Sequence, residues 1–319
     1  MTRILVALGG NAIQRAHDAG TWAEATRQMR RTAPALAAIV ARGHELIVTH
    51  GNGPQVGDLL REAELGAPEV PAPPMDVLGA ESEGQIGYLI AQELGTALVR
   101  ARAARAVVPV ISRTEVSSRD PAFRRPTKPV GRFYSKAEAG RLQRREGWTL
   151  REDPRRGGWR RVVPSPRPVR WLEAEAIRAA LDAGLGRRCV FVVAGGGGIP
   201  VVRGPRGSFR GVEAVIDKDR GAAVVARQLG AWTLAIVTDV PGAATGFGTP
   251  RERWLGRVSA DKLRADLAAG EFAEGSMGPK IAAGLEFLDA GGRYLVITDI
   301  TSLARGLAGT AGTRVGTPV

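Results

Sequence analysis

Six short, predominantly apolar runs constrain this chain more than any other feature: Ile4–Leu8, Glu45–Thr49, Ala106–Ile111, Cys189–Ala194, Trp232–Val237 and Tyr294–Thr298. Between them lie stretches with helical character, at about Ala23–Ala41, Gly84–Arg105, Leu172–Ala183, Lys218–Leu229, Ser259–Ala269 and Pro279–Ala290. Strands that are apolar throughout, rather than alternately, must be covered on both faces. That pattern predicts a mostly parallel sheet between two layers of helices, a three-layer αβα sandwich. A last strand is expected near Arg314-Val315, and no repeat of 20–50 residues is visible. With 319 residues the chain can bury such a sheet. No apolar run approaches the ~18–20 residues of a membrane span. The start lacks a signal-peptide core, and the single cysteine, Cys189, excludes an internal disulfide and Cys-rich zinc sites. A cytoplasmic protein is expected.

The formal charge is +13, but it is not spread evenly. Residues 100–170 carry 18 Arg and 2 Lys against 6 acids, net +14, which leaves −1 for everything else. Within this region, about 113–167 has no clean periodicity and is rich in Pro, Gly, Arg and aromatic residues. It reads as an inserted, hairpin-containing lid rather than a linker. A basic segment interleaved with aromatics also raises nucleic-acid binding as a competing class. Only five of the 45 basic residues are lysines: Lys128, Lys136, Lys218, Lys262 and Lys280. Arginine does not replace a compact ammonium, so these positions are worth inspecting.

Glycine clusters follow the C-terminal ends of three predicted strands: Gly9-Gly10-Asn11, Gly51-Asn52-Gly53 and Gly195–Gly198. In an open parallel sheet, ligands bind beyond those ends, where glycine lets backbone N–H groups approach an anion. There is no G-x-x-x-x-G-K-[ST], no G-x-G-x-x-G opening a helix after the first strand, and no G-x-S-x-G elbow. The histidines, His17, His44 and His50, are too scattered to suggest a metal cluster or a catalytic pair. No metal ligands are expected from the protein. Lysine plus glycine remains, and this is the chemistry of phosphoryl transfer, where positioning and charge stabilisation do most of the catalysis. Lys218 sits in Asp217-Lys218-Asp219, Lys280 in Gly275-Ser276-Met277-Gly278-Pro279-Lys280, and Lys128 in the insert.

These blocks bear a specific resemblance. Ala7–Ala12, Val48-Thr49-His50-Gly51-Asn52-Gly53-Pro54-Gln55-Val56-Gly57, Met75-Asp76-Val77 with Gly84–Tyr88, and Pro126-Thr127-Lys128-Pro129-Val130-Gly131 resemble carbamate kinase, within the amino-acid kinase superfamily. So do Gly195–Val201, Val212–Asp219 and Gly275–Lys280, so that the likeness covers nearly the whole chain. It implies one amino-acid-kinase-like domain over 1–319. An N-terminal lobe, 1–211, would hold carbamate or carbamoyl phosphate and carry the lid, and a C-terminal lobe, 212–319, would hold the nucleotide. The implied reaction is reversible phosphoryl transfer between carbamoyl phosphate and ADP, giving ATP and carbamate. Lys128, Lys218, Asp219 and Lys280 would be catalytic, and Gly9, Gly10, Asn11, Gly51, Asn52 and Gly53 would bind the carbamoyl phosphate. Gly195, Gly196, Thr238, Asp239, Val240, Gly275, Met277 and Gly278 would serve the nucleotide, with Mg²⁺. A homodimer and a place in arginine metabolism are implied too. The alternative is a related kinase acting on another carboxylate or carbamoyl acceptor. The chain departs from the family's pattern in Thr238–Pro250, which lacks an expected tyrosine near the adenine, and in Ile297–Leu303.

Overall fold

The computed structural model describes residues 2–14, 19–153, 157–273 and 275–317, without the side chain of Asn11. The chain opens with β1 (Arg3–Leu8), a 3-10 turn over Gly10–Ala12, α1 (Trp22–Ala41), β2 (Glu45–His50), α2 (Gly53–Gly66) and α3 (Met75–Arg100). Next come β3 (Ala106–Pro109), β4 (Arg113–Val116), β5 (Lys128–Tyr134), α4 (Lys136–Glu146), β6 (Leu150–Glu152), β7 (Trp159–Val163) and β8 (Pro168–Trp171). They are followed by α5 (Ala174–Asp182), β9 (Cys189–Val192), a 3-10 turn over Gly195–Gly197, β10 (Ile199–Arg203), β11 (Phe209–Gly211) and α6 (Lys218–Gln228). The chain closes with β12 (Thr233–Thr238), β13 (Ala244–Thr245), β14 (Arg253–Trp254), α7 (Ala260–Ala268), α8 (Met277–Asp289), β15 (Tyr294–Asp299), α9 (Leu303–Leu307) and β16 (Thr313–Gly316).

The main sheet has the order β16-β15-β12-β1-β2-β9-β3. All neighbours in it run parallel except β16, which pairs antiparallel with β15. Every residue from Ile4 to Leu8 is fully buried, because β1 lies near the centre of the sheet and both its faces are covered. Ile4, Val6 and Leu8 join the core formed with α1 and α3, through Met29, Leu36, Ile90 and Leu94. Leu5 and Ala7 point the other way, into the core formed with α6 and α8 through Ala222, Val225, Ile281 and Phe287. The period of two in a strand thus assigns alternate side chains to two separate cores, which makes the three layers. The sheet is continuous across the chain's two halves, since β1 pairs with β2 on one side and β12 on the other. Among the described residues no helix is long and apolar enough to cross a membrane.

Helices α2, α4 and α9 are absent from the sequence expectation, and α3 starts earlier than expected. The turn at Gly51-Asn52-Gly53 opens directly into α2, whose glycines and polar residues hide its periodicity. Helix α3 begins at Met75, after Pro74, rather than at Gly84, and it ends at Arg100, ahead of the left-handed Arg102. Proline just ahead of a helix satisfies its own lack of an N–H, so this start is physically ordinary.

The region 113–167 divides between two sheets. Strand β4 pairs with β10 and β8 in a second sheet, ordered β11-β10-β4-β8. The order β5-β7-β6 makes a separate antiparallel sheet with α4. Tyr134, Ala139 and Leu150 form its small core, with Trp148 and Trp159 packed against them. Its arginines cover its aromatics: Arg132 stands 4.3 Å over Tyr134, Arg161 4.2 Å over Trp148 and Arg160 5.1 Å over Phe133. The unit docks on α2 and α3 through Val130 and Val163 against Val56, Leu60 and Leu78. Gly131 lies opposite Gly57, Tyr134 donates a hydrogen bond to Glu64, and Arg161 pairs with Glu213 at 2.7 Å.

Candidate active site

The site forms at the C-terminal ends of β1 and β2, beside the start of α6. Gly9 N–H donates to Val237 O at 3.0 Å, and Gly51 N–H donates to Leu8 O at 3.0 Å, so each turn is tied to the neighbouring strand. A side chain at position 9 would sit 2.8 Å from Val237 O, which requires glycine there. The backbone N–H groups of Gly10, Asn52 and Gly53 donate to no protein acceptor among the described residues. Pro54, next in α2, has no N–H to offer. Several free donors converging at a helix start make an anion site. The Asn52 amide is held from behind, donating to Ser82 Oγ at 2.9 Å. The side chain of Asn11 lies outside the described residues, as does His17. His44 contacts Thr2 Oγ1 at 2.9 Å, at the other end of β2 from these turns.

Three of the five lysines come to this place from three distant parts of the chain. Lys218 Nζ lies 2.5 Å from Asp219 Oδ1, and Lys280 Nζ lies 3.3 Å from Asp219 Oδ2. Lys128, from β5 of the insert, reaches Asp217 Oδ2 at 3.3 Å. Asp217 also caps α6, accepting from the N–H groups of Asp219 at 3.0 Å and Arg220 at 3.3 Å. Its role as the Lys128 partner was not expected; its place directly before Lys218 was the only signal. Asp219 is 3% exposed. Burial pushes its carboxyl up, but the ammonium groups of Lys218 and Lys280, with their hydrogen bonds, outweigh this and hold it below the usual aspartate value. Lys218 passes so close to Gly51 that a Cβ there would be 3.1 Å from its Cδ. The glycine turns and the lysines therefore bound one space.

Gly195 and Gly196, expected to serve the nucleotide, pack beneath the Gly51–Gly53 turn. All of Gly195–Gly197 is buried, and a Cβ on Gly195 would fall 2.4 Å from His50 Cε1, one on Gly196 2.3 Å from Asn52 Nδ2. Gly196, Gly197 and Gly198 have φ of 64°, 96° and 88°, the left-handed region that favours glycine. This run supports the Gly51–Gly53 turn from beneath and is not among the residues that line the cleft beside Lys280. His50, buried there, has its pKa lowered to about 4, chiefly by burial and against the pull of its bond to Gly51, with Lys218 adding repulsion. It is therefore neutral near pH 7. Glu83, also buried, accepts from Ser112 N–H at 2.8 Å, and burial raises its pKa well above the usual glutamate value.

On the other side of Lys280 lies a cleft of about 240 Å³, lined by Thr238, Asp239, Val240, Phe247, Phe272, Ser276, Met277 and Lys280 among others. Five of the positions assigned to the nucleotide or to catalysis thus meet here, Thr238, Asp239, Val240, Met277 and Lys280, and Lys280 joins the cleft to Asp219. Gly275 and Gly278 shape the entry to α8 instead, Gly278 packing under Ala273 O. The unexpected member is Phe247, 60% exposed at the tip of the β13–β14 hairpin and set edge-to-face against Trp254 at 6.0 Å. An aromatic face, Val240 and Met277 give this cleft an apolar wall suited to a planar base.

Comparison with known proteins finds relatives over nearly the whole chain. The model of the amino acid kinase family matches residues 2–299. The chain is 44% identical over 315 residues to the carbamate kinase of Pyrococcus horikoshii, covering 98% of each. It is 42% identical over 320 residues to that of Halobacterium salinarum, covering 99% of this chain and 98% of the relative. Among solved structures, the carbamate kinase from Giardia lamblia bound to AMP-PNP superposes with a TM-score of 0.91 at 36% identity, covering 98% of each chain. The chain belongs to the amino acid kinase family, among the carbamate kinases.

Proposed function

We propose that the protein catalyses reversible phosphoryl transfer between carbamoyl phosphate and ADP, forming ATP and carbamate. The observation that carries this reading is the convergence of Lys128, Lys218 and Lys280 on the neighbouring carboxylates Asp217 and Asp219, directly beside the free N–H groups of Gly10, Asn52 and Gly53. Carbamoyl phosphate is small and strongly anionic, and backbone donors with ammonium groups match it. Gly9, Gly10, Asn11, Gly51, Asn52 and Gly53 form its binding turns. The nucleotide occupies the cleft at Thr238, Asp239, Val240 and Met277, its base against Phe247 and its phosphates toward Lys280.

Lys218 and Lys280 then stand on the two sides of the transferring phosphoryl group. Asp219, between them, holds both ammonium groups in place and is itself kept ionised by them. Lys128 adds a third positive charge from the insert. The phosphoryl group passes from the carbamoyl oxygen to the ADP β-phosphate, or back, through a transition state whose charge these groups neutralise. No general base is needed, because a carbamate oxygen is already anionic.

Mg²⁺ is proposed to arrive on the nucleotide's phosphates, where it would neutralise charge. Among the described residues no group of three or more His, Cys, Asp or Glu could cage a metal, and Asp217 and Asp219 are engaged by lysines. A cytoplasmic homodimer and a role in arginine metabolism are proposed on the resemblance to carbamate kinases. The test is ATP formation from carbamoyl phosphate and ADP by the wild type beside Lys218→Ala and Lys280→Ala. Each substitution is expected to lower kcat on the order of a hundred- to a thousandfold. Phosphorylation of another acid, with no ATP from carbamoyl phosphate, would instead favour the related-kinase alternative.

A further inference from the structure

The Asn52 N–H at the start of α2 can serve the phosphoryl substrate only if its peptide plane is turned the right way, and the structure offers one group that turns it. His50 is 2% exposed, and its Nδ1 lies 3.1 Å from the carbonyl oxygen of Gly51. A carbonyl only accepts, so Nδ1 carries the proton and donates, which leaves Nε2 without one. In a trans peptide the Gly51 C=O and the Asn52 N–H point in opposite directions across one plane. Drawing the carbonyl inward to the imidazole therefore sends the N–H outward, where it meets no protein acceptor among the described residues. Lys218 runs past that same glycine, 3.1 Å from where a Cβ would stand.

We propose that His50 is a positioning residue, whose Nδ1–H fixes the Gly51–Asn52 peptide so that the Asn52 N–H faces the transferring phosphoryl group. Gly195 completes the device. Any side chain there would fall 2.4 Å from His50 Cε1 and 2.9 Å from Glu83 Cγ, so the absence of a Cβ is what lets the ring lie under the turn. His50 touches neither substrate and moves no proton. Burial lowers the imidazole's pKa to about 4, so the ring is neutral near pH 7, and the Gly51 carbonyl selects the tautomer with the proton on Nδ1.

This inference rests on the phosphoryl-transfer reading, and wild-type ATP formation from carbamoyl phosphate and ADP tests that reading first. The inference itself is tested by His50→Asn, His50→Gln and His50→Ala, measured for kcat, KM and Tm. An Asn amide places its N–H where Nδ1 stands, whereas Gln places one where Nε2 stands. His50→Asn is expected to keep kcat within about threefold, while His50→Gln and His50→Ala lose on the order of a hundredfold, the cost of a donor misplaced by about 1 Å. Gly195→Ala should lower kcat in the wild type and lower it less in the His50→Ala background, where the closest contact, with the ring, is gone and only Glu83 is still met. If Asn and Gln lower kcat equally, or if all three leave kcat unchanged and only Tm falls, His50 merely fills space and the proposal is overturned. Where a variant is too unstable to assay, the Gly195→Ala single and double variants carry the same decision.

Discussion

Replacing Lys218 by methionine separates the charge of this residue from its packing. The methionine keeps most of the chain that passes Gly51 but removes the ammonium that sits 2.5 Å from Asp219 Oδ1. If that ammonium neutralises the transferring phosphoryl group, its loss should cost about 3–4 kcal/mol of transition-state stabilisation, on the order of a hundred- to a thousandfold in kcat. The stability cost should be smaller than the 3–5 kcal/mol of leaving a buried charge unpaired, because Lys280 still holds Asp219 at 3.3 Å. A loss of about 1–3 kcal/mol is expected.

The pH dependence gives an independent check. Asp219 has its pKa held below the unfolded value, so it contributes stability above the unfolded pKa, and this is lost as pH falls through the folded one. Without Lys218 the upward push of burial meets one ammonium instead of two, so the acid limb of the stability profile should move to higher pH. Lys218→Arg should not restore activity, because a planar guanidinium cannot replace a compact ammonium beside Gly51. Coupled ATP-formation kinetics and thermal unfolding between pH 3 and 8 read all three effects. Near-wild-type kcat in Lys218→Met, with a lowered Tm, would refute the catalytic assignment and leave Lys218 as a structural partner of Asp219.

Three further outcomes follow from the same geometry. Lys128→Ala should lower kcat/KM for carbamoyl phosphate while shifting Tm by no more than a degree or two, since its ion pair with Asp217 is 38% exposed on the lysine side and exposed pairs contribute little; an equal loss of Tm would sink this. Phe247→Ala should raise KM for ADP by roughly 3- to 10-fold, the worth of one aromatic contact, with kcat nearly unchanged, and titration of ADP binding checks it. Glu83 has its folded pKa raised, so its contribution is present below the unfolded glutamate pKa and is lost as pH rises through the folded one. Glu83→Gln should therefore flatten the decline in Tm toward alkaline pH, and an unchanged Tm profile between pH 5 and 9 would count against the shift.

Much of the fold was legible because burial on both faces leaves a mark on composition. The run Ile4–Leu8 could be nothing but a central strand, and the glycines that follow it mark a turn where backbone and ligand come close. Helix α2 was hidden because its buried side chains are few, Val56 and Leu60 alone, so its residues show no apolar face. Gly195–Gly198 was recognisable as a place needing glycine but not as the floor beneath His50 and Asn52. The reason for each glycine is the atom its Cβ would strike, and for Gly195 and Gly196 that atom, on His50 or Asn52, lies more than a hundred residues away in the chain. The basic excess was correctly traced to one segment, yet only the packed insert shows Arg132, Arg160 and Arg161 lying over aromatic rings.

The amino-acid sequence by itself determined the layers, the mostly parallel character of the sheet and which few lysines invite inspection, because these follow from local periodicity and residue chemistry. The tertiary structure alone decided that Lys128, Lys218 and Lys280 meet at two neighbouring carboxylates, that Gly195 and Gly196 pack beneath the Gly51–Gly53 turn, and that Phe247 lines the cleft beside Lys280. Convergence of side chains from distant segments depends on how the strands are ordered in the sheet. That order is set by the summed burial of both cores, which no single stretch of chain records.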